Sequence, residues 1–187
     1  MKIEESPING SFVIEPELFE DHRGYFIESF NQRLLDGVLG YSPRFVQDNQ
    51  SKSKYGVLRG LHLQLGDFAQ AKLVRAIAGD ILDIIVDVRP NSSQLGEHFS
   101  MVLSAENKKQ VFIPRGFAHG FAVLTETATI HYKADNYYNN KAESGLLYND
   151  PELNIDWQIP LADIITSEKD LLLPTLSQFK ELFLANS

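Results

Sequence analysis

A mainly β fold, a sandwich or barrel with a few short helices, is predicted by three observations on this 187-residue chain. From Phe45 to Thr129, short β-rich runs follow one another, each broken by Gly, Pro, Asn or Asp. No run of helical period interrupts them, which disfavours a doubly wound α/β sheet. Several runs place every second residue in an apolar row, as strands do when one face meets a core.

The elements follow in order. Phe12 and Val13 open the β pattern, and Glu20-Asp21-His22-Arg23-Gly24 reads as a polar turn before a strand from Tyr25 to Phe30. Glu28 falls between Phe26 and Phe30 on one face, where a carboxylate is costly unless it is paired or used. An exposed face at a sheet edge explains it equally well. Leu34, Leu35, Val38 and Leu39 recur at helical spacing ahead of Gly40, so residues 31–39 form one short helix.

KLVRAIA, Gly79-Asp80 and ILDIIVDV read as a hairpin with a two-residue turn. That register sets Lys72 opposite Asp87, Val74 opposite Ile85 and Ala76 opposite Asp83. One face then carries Lys72, Asp83 and Asp87; the other is apolar apart from Arg75 and suits core packing. The charged face is either a solvated surface or the wall of a polar cavity inside a barrel. Further on, His119 shares a parity with Phe117, Phe121 and Val123, and Tyr132 with Ile130 and Ala134, while His131 points the other way. β periodicity is lost from Asn149, and the terminal LSQFKELFLANS reads as a short amphipathic helix.

Composition narrows the function. Apolar residues make up 43% and there are 12 Phe, enough for an ordered core, and the length predicts one domain over residues 1–187. With no Cys, thiolate nucleophiles, disulfides and Cys-based metal centres are excluded, as suits a reducing cytoplasm. MKIEESPING lacks the apolar centre of a secretion signal, and no apolar run reaches the ~20 residues of a membrane helix, so a cytoplasmic protein is expected. The net charge of −8 argues against nucleic acid or an anionic membrane as partner. It leaves room for a small anionic substrate, because Arg and Lys inside a pocket outweigh the average field.

No GxxxxGK[ST] loop, GxGxxG turn, HExxH helix or GxSxG elbow occurs. Pro114-Arg115-Gly116-Phe117-Ala118-His119 resembles the second motif of the cupin superfamily. Metal-binding cupins carry an HxH pair in the first motif; here Gly60-Leu61-His62-Leu63-Gln64 offers one His, with Gln64 in the second place. A three-His metal centre cannot be assembled from these motifs, and no metal is predicted.

Arg59-Gly60-Leu61-His62-Leu63-Gln64 followed by Gln70-Ala71-Lys72-Leu73-Val74-Arg75 resembles the signature of the dTDP-4-dehydrorhamnose 3,5-epimerase family. Gln47-Asp48-Asn49, Leu103 to Asn107, Ile113 to Phe121, Tyr132-Lys133, Tyr137-Tyr138, Asn149 to Pro151, Ile155 to Trp157 and Ser167 to Asp170 fall in that family's order, from about Arg23 onward. The resemblance implies a cupin-type β jelly-roll barrel working as a homodimer. It also implies a cofactor-free inversion of the two carbons flanking the C4 ketone of dTDP-4-dehydro-6-deoxy-glucose. A sister enzyme that inverts one of the two carbons, or that acts on another keto-sugar nucleotide, is the alternative.

By the same resemblance, His62 is the base, Asp170 its dyad partner, Lys72 the cation at the C4 oxygen and Tyr132 the acid on the opposite face. A structural core Tyr is the competing reading of Tyr132. Arg23, Glu28, Gln47, Asp48, Asn49, Arg59, His119, Glu143 and Lys169 are implied around the sugar nucleotide, with Tyr138 stacked on the thymine. Arg23 and Glu28 serve the partner's site if the N-terminal strands are exchanged. Strict alternation sets Arg59 and His62 on opposite faces, so a bulge or bend at Gly60 is expected if both are to reach one pocket.

Overall fold

The computed structural model describes residues 1–184. The elements run β1 (Lys2–Glu5), β2 (Phe12–Glu15), β3 (Leu18–Asp21), β4 (Gly24–Ile27), α1 (Gln32–Leu39), β5 (Gln47–Lys54), β6 (Leu58–Gln64), β7 (Lys72–Ala78), β8 (Asp80–Asp87), β9 (His98–Ser104), β10 (Gln110–Ile113), β11 (Phe117–Val123), β12 (Thr127–Ala134), β13 (Glu143–Gly145) and α2 (Leu176–Phe179). One sheet has the order β1-β2-β10-β7-β12-β5 and the other β13-β6-β11-β8-β9, all pairs antiparallel. They pack face to face as a cupin-type β jelly roll, the predicted class. β3 and β4 stand apart as a two-stranded ribbon.

Three apolar clusters explain why the central strands β8, β10 and β11 are buried along nearly their whole length. Val74, Ile81, Ile85, Phe117, Phe121 and Ile130 meet between the sheets. Behind the five-stranded sheet, Leu58, Leu82, Ile84 and Val86 pack under Leu153, Trp157, Leu176 and Phe179 of the C-terminal arm. Behind the six-stranded sheet, Leu73 and Phe112 pack against Ile14 of β2 and Leu35 of α1. Each fully buried Leu, Ile or Phe contributes about 1.5–3 kcal/mol of transfer free energy, so both parities of the central strands are held. Helix α1 starts and stops where its sequence says: the Asn31 side chain caps the amide of Leu34, and Gly40 closes the helix in the left-handed region.

The predicted hairpin does not form. β7 lies in the six-stranded sheet between β10 and β12, whereas β8 lies in the five-stranded sheet between β11 and β9. Gly79-Asp80 is therefore a corner between sheets, packed against the crossing from β11 to β12. The Thr125 hydroxyl accepts from the Asp80 amide at 2.9 Å, the Leu124 amide donates to the Asp80 carbonyl at 3.0 Å, and a Cβ on Gly79 would collide with the Thr127 carbonyl. Lys72 lies beside Ile113 and Ala134, not Asp87. The inward parity survives the change, so Lys72, Val74, Ile81, Asp83 and Ile85 all belong to the interior; of the three charges predicted on one face, Lys72 lines a cavity, Asp83 is buried against His119, and Asp87 is buried against Arg89 and Ser92.

The strand expected from Tyr25 to Phe30 stops at Ile27. The terminal helix is α-helical over Leu176–Phe179 and π-helical over Lys180–Leu184; the rest of the expected helix lies outside the described residues. Among the described residues, no helix is long and apolar enough to cross a membrane.

Candidate active site

A cavity of about 780 Å³ opens between the sheets, lined among others by Arg59, His62, Lys72, His119, Tyr132 and Asp170. The local structure of β6 decides which side chains enter it. Opposite β11, Arg59 pairs with Phe121 but His62 pairs with His119, so one extra residue is accommodated between them. Gly60 takes φ +120°, and a Cβ there would lie 2.5 Å from Gly120 Cα and 2.7 Å from the His119 carbonyl oxygen. This irregularity is the expected one, and Arg59 and His62 both line the cavity.

The C-terminal arm brings Asp170 across 108 positions of sequence to meet His62. Ile165 bridges to Val57, accepting from the Leu58 amide and donating to the Gly56 carbonyl, each at 2.8 Å. Five residues later Asp170 is buried with Oδ1 2.7 Å from His62 Nε2, while Oδ2 accepts from the Gly60 amide at 3.4 Å. Burial alone would raise the Asp170 carboxyl; the hydrogen bond and charge of His62, with the Gly60 amide and Ser167, hold it below the usual carboxylate range. Asp170 is thus a carboxylate at neutral pH and accepts the Nε2 proton. The neutral ring then has its free lone pair on Nδ1.

Lys72 points into the same space, its Nζ 3.5 Å from the His62 carbonyl oxygen. Burial lowers its ammonium to about 8, against the opposing charges of Asp83 and Glu143. Tyr132, between Val74 and Asn49 in the six-stranded sheet, faces inward; burial raises its phenol, Arg59 counteracts, and Glu143 adds to the rise. Tyr132 is therefore a neutral proton donor over the physiological range. His131 turns to the outer face of the sheet beside Arg75, Lys133 and Asp48.

At the rim, Glu143 Oε2 accepts from the Tyr138 hydroxyl and from Lys169 Nζ, both at 2.5 Å. Burial would raise the Glu143 carboxyl, and those two bonds lower it instead. Arg59 is steadied by Ser53 Oγ at 3.1 Å. Gln47 donates to Asn49 at 2.9 Å and accepts from the Tyr138 amide at 3.1 Å, tying β5 to the rim. Asp48 borders the cavity, but its carboxylate is held by Lys133 at 3.0 Å. Gln64, where metal-binding cupins carry the second His, accepts the Asn139 amide at 2.9 Å and anchors the loop before β13.

Arg23 and Glu28 are not brought to the cavity within one chain. Arg23 pairs with Asp21 at the tip of the β3–β4 ribbon, and Glu28 accepts from Asn31. Conversely, the sequence reading placed Asp83 on a charged face without naming its partner, and gave no role to Ser53. Asp83 was detectable as an acid in the apolar row of Ile81 and Ile85; nothing in Ser53's sequence context marked it.

Fold and site together define a cupin-type jelly roll whose interior cavity joins a His–carboxylate pair, a lysine and a tyrosine. The sequence profile of the dTDP-4-dehydrorhamnose 3,5-epimerase family matches residues 5–178. The dTDP-4-dehydrorhamnose 3,5-epimerase of Escherichia coli K12 is 46% identical over 182 residues, covering 97% of this chain and 98% of its own. The crystal structure of the Elizabethkingia anophelis epimerase superposes with a TM-score of 0.92 at 52% identity, covering 95% of this chain and 97% of that one. That of a Legionella pneumophila dTDP-6-deoxy-D-glucose-3,5-epimerase, in complex with dTDP-4-keto-L-rhamnose, gives 0.91 at 42% identity over 99% and 95% of the two chains. The chain belongs to the dTDP-4-dehydrorhamnose 3,5-epimerase family of carbohydrate epimerases.

Proposed function

We propose that this enzyme converts dTDP-4-dehydro-6-deoxy-α-D-glucose to dTDP-4-dehydro-β-L-rhamnose, inverting C3 and C5 by proton removal and return. The observation that carries the reading is the 2.7 Å His62–Asp170 pair in one cavity with Lys72 and Tyr132. Protons beside a ketone become acidic only if the enolate is stabilised as it forms. His62 takes the proton through Nδ1, and Asp170 supports the resulting imidazolium. The Lys72 ammonium faces the developing charge on the C4 oxygen, and Tyr132 returns a proton to the opposite face. No electron is transferred, so the reaction needs no redox cofactor.

Arg59 and Lys169 suit the diphosphate, where charge-assisted bonds are strong. Gln47, Asn49 and His119 suit the sugar hydroxyls, and Tyr138, 53% exposed at the rim, offers a ring face to the thymine. Incubation with the substrate in deuterated water tests the whole: label at both C3 and C5 is expected, label at one carbon selects a single-centre epimerase, and none rejects both. Because Lys72 must be charged, the rate should fall as pH rises through about 8.

The enzyme acts as a homodimer in this reading. The β3–β4 ribbon exposes Phe19 and Phe26, the latter 66% accessible, and β5 has one unpaired edge beside the cavity. A partner's ribbon seated there would carry its Arg23 and Glu28 toward this site. Sedimentation should find a dimer, and Phe26→Asp should shift it toward monomer with loss of activity. A fully active monomer overturns the exchange.

A further inference from the structure

We propose that Asp83 is a positioning residue of this site, fixing the His119 ring and adding a negative charge to the surroundings of the Lys72 ammonium. The inference rests on the epimerase reading above and extends it to a residue that touches no substrate. Asp83 sits on β8 in the inward row with Ile81 and Ile85 and is 2% exposed. A carboxylate in such a place is retained only if it is paired. Its Oδ2 lies 2.8 Å from Nε2 of His119, which is itself buried. β11 sets His119 directly opposite His62 on β6, and Phe121 opposite Asp83 on β8. His119 therefore reaches back to Asp83 on one side and borders the cavity beside His62 on the other.

The arrangement repeats the His62–Asp170 pair one strand over. With Asp83 ionised, His119 carries its proton on Nε2, and Nδ1 is left as an acceptor toward the cavity. Charge bookkeeping gives Asp83 its second role. The cations at the cavity are Lys72, Arg59 from β6 and Lys169 from the C-terminal arm, and His62, His119 and Tyr132 line it beside them. Of the anions, Asp170 is engaged by His62, Glu143 of β13 by Lys169 and Tyr138, and Asp48 of β5 by Lys133. Asp83 and Glu143 are the two whose charge supports the Lys72 ammonium against its burial, and among the described residues no Lys or Arg pairs with Asp83. Removing that charge makes Lys72 deprotonate at lower pH.

The test is Asp83→Asn, which keeps the shape and a hydrogen-bonding oxygen for His119 but removes the charge. Wild-type deuterium incorporation at C3 and C5 is measured first, and its absence rejects the epimerase reading independently of Asp83. Given wild-type exchange, the variant should unfold cooperatively and bind dTDP within about 3-fold of wild type. It should lose kcat by on the order of 10- to 100-fold and show the alkaline limb of its kcat/KM profile displaced to lower pH. A kcat within about 2-fold of wild type, or a lowered kcat with an unmoved alkaline limb, overturns the proposal. Should the variant not fold, NMR of the wild-type imidazole nitrogens decides. Nε2-protonated His119 with a free Nδ1 upholds the arrangement, and an Nδ1-protonated neutral ring overturns it.

Discussion

His62→Ala is expected to abolish deuterium incorporation into the dTDP-keto sugar, lowering the rate by about 10³-fold or more, while dTDP binding stays within about 3-fold of wild type. The split follows from the geometry. The ring lies between the buried Asp170 carboxylate and the open cavity, and no other described imidazole is bonded to that carboxylate. In the proposed reading the nucleotide is held at the rim, where Tyr138, Glu143 and Lys169 form their own hydrogen-bonded group. Removing an imidazole from β6 leaves that group intact. His62 is half-buried and pairs with His119 only through backbone, so the cavity created is open to solvent and the fold should persist. Unchanged exchange in the variant would mean that another residue takes the proton; equal loss of exchange and dTDP binding would mean that His62 is structural.

How much of this was legible in sequence depends on whether the signal was local. Helix α1 was readable because Asn31 and Gly40 mark both ends. The irregularity at Gly60 was readable because two residues of unlike parity needed one pocket, and glycine is the residue that tolerates the close approach to Gly120. The Gly79-Asp80 corner was misread because a tight glycine turn between two apolar runs has the same local chemistry whether the chain folds back or crosses to the facing sheet. What distinguishes them is the contact with Thr125 and Thr127, more than forty positions away, and no local pattern carries that. The inward parity was still right, since alternation is set within each strand and not by its partner. The meeting of His62 with Asp170 depends on the bridge between Val57 and Ile165, which no periodicity foretells; only the ordered family motifs joined them. Arg23 on the ribbon and Glu28 just after it stay outside the cavity of their own chain, so the role proposed for them at that cavity would need a second copy.

Tyr132→Phe should separate proton removal from inversion. If Tyr132 supplies the proton on the face opposite His62, its loss leaves deprotonation intact: His62 still exchanges the substrate proton with solvent and returns deuterium on the same face. Labelled but uninverted substrate should accumulate, with inversion slowed by about 10²-fold or more. The phenol is suited to this because burial raises its pKa, keeping it protonated, and the Arg59 charge nearby opposes that rise and favours the phenolate left after transfer. Phe keeps the ring that packs with Val74 and Ile130 between the sheets, so the expected cost in stability is small, about 1 kcal/mol for a lost hydroxyl. Chiral analysis of the product alongside mass spectrometry of the recovered substrate distinguishes the outcomes. Inversion within about 2-fold of wild type would return Tyr132 to the role of a packed core residue. Loss of exchange and inversion together would place its contribution before the proton leaves, as a donor to the enolate oxygen alongside Lys72 and not as the acid on the far face.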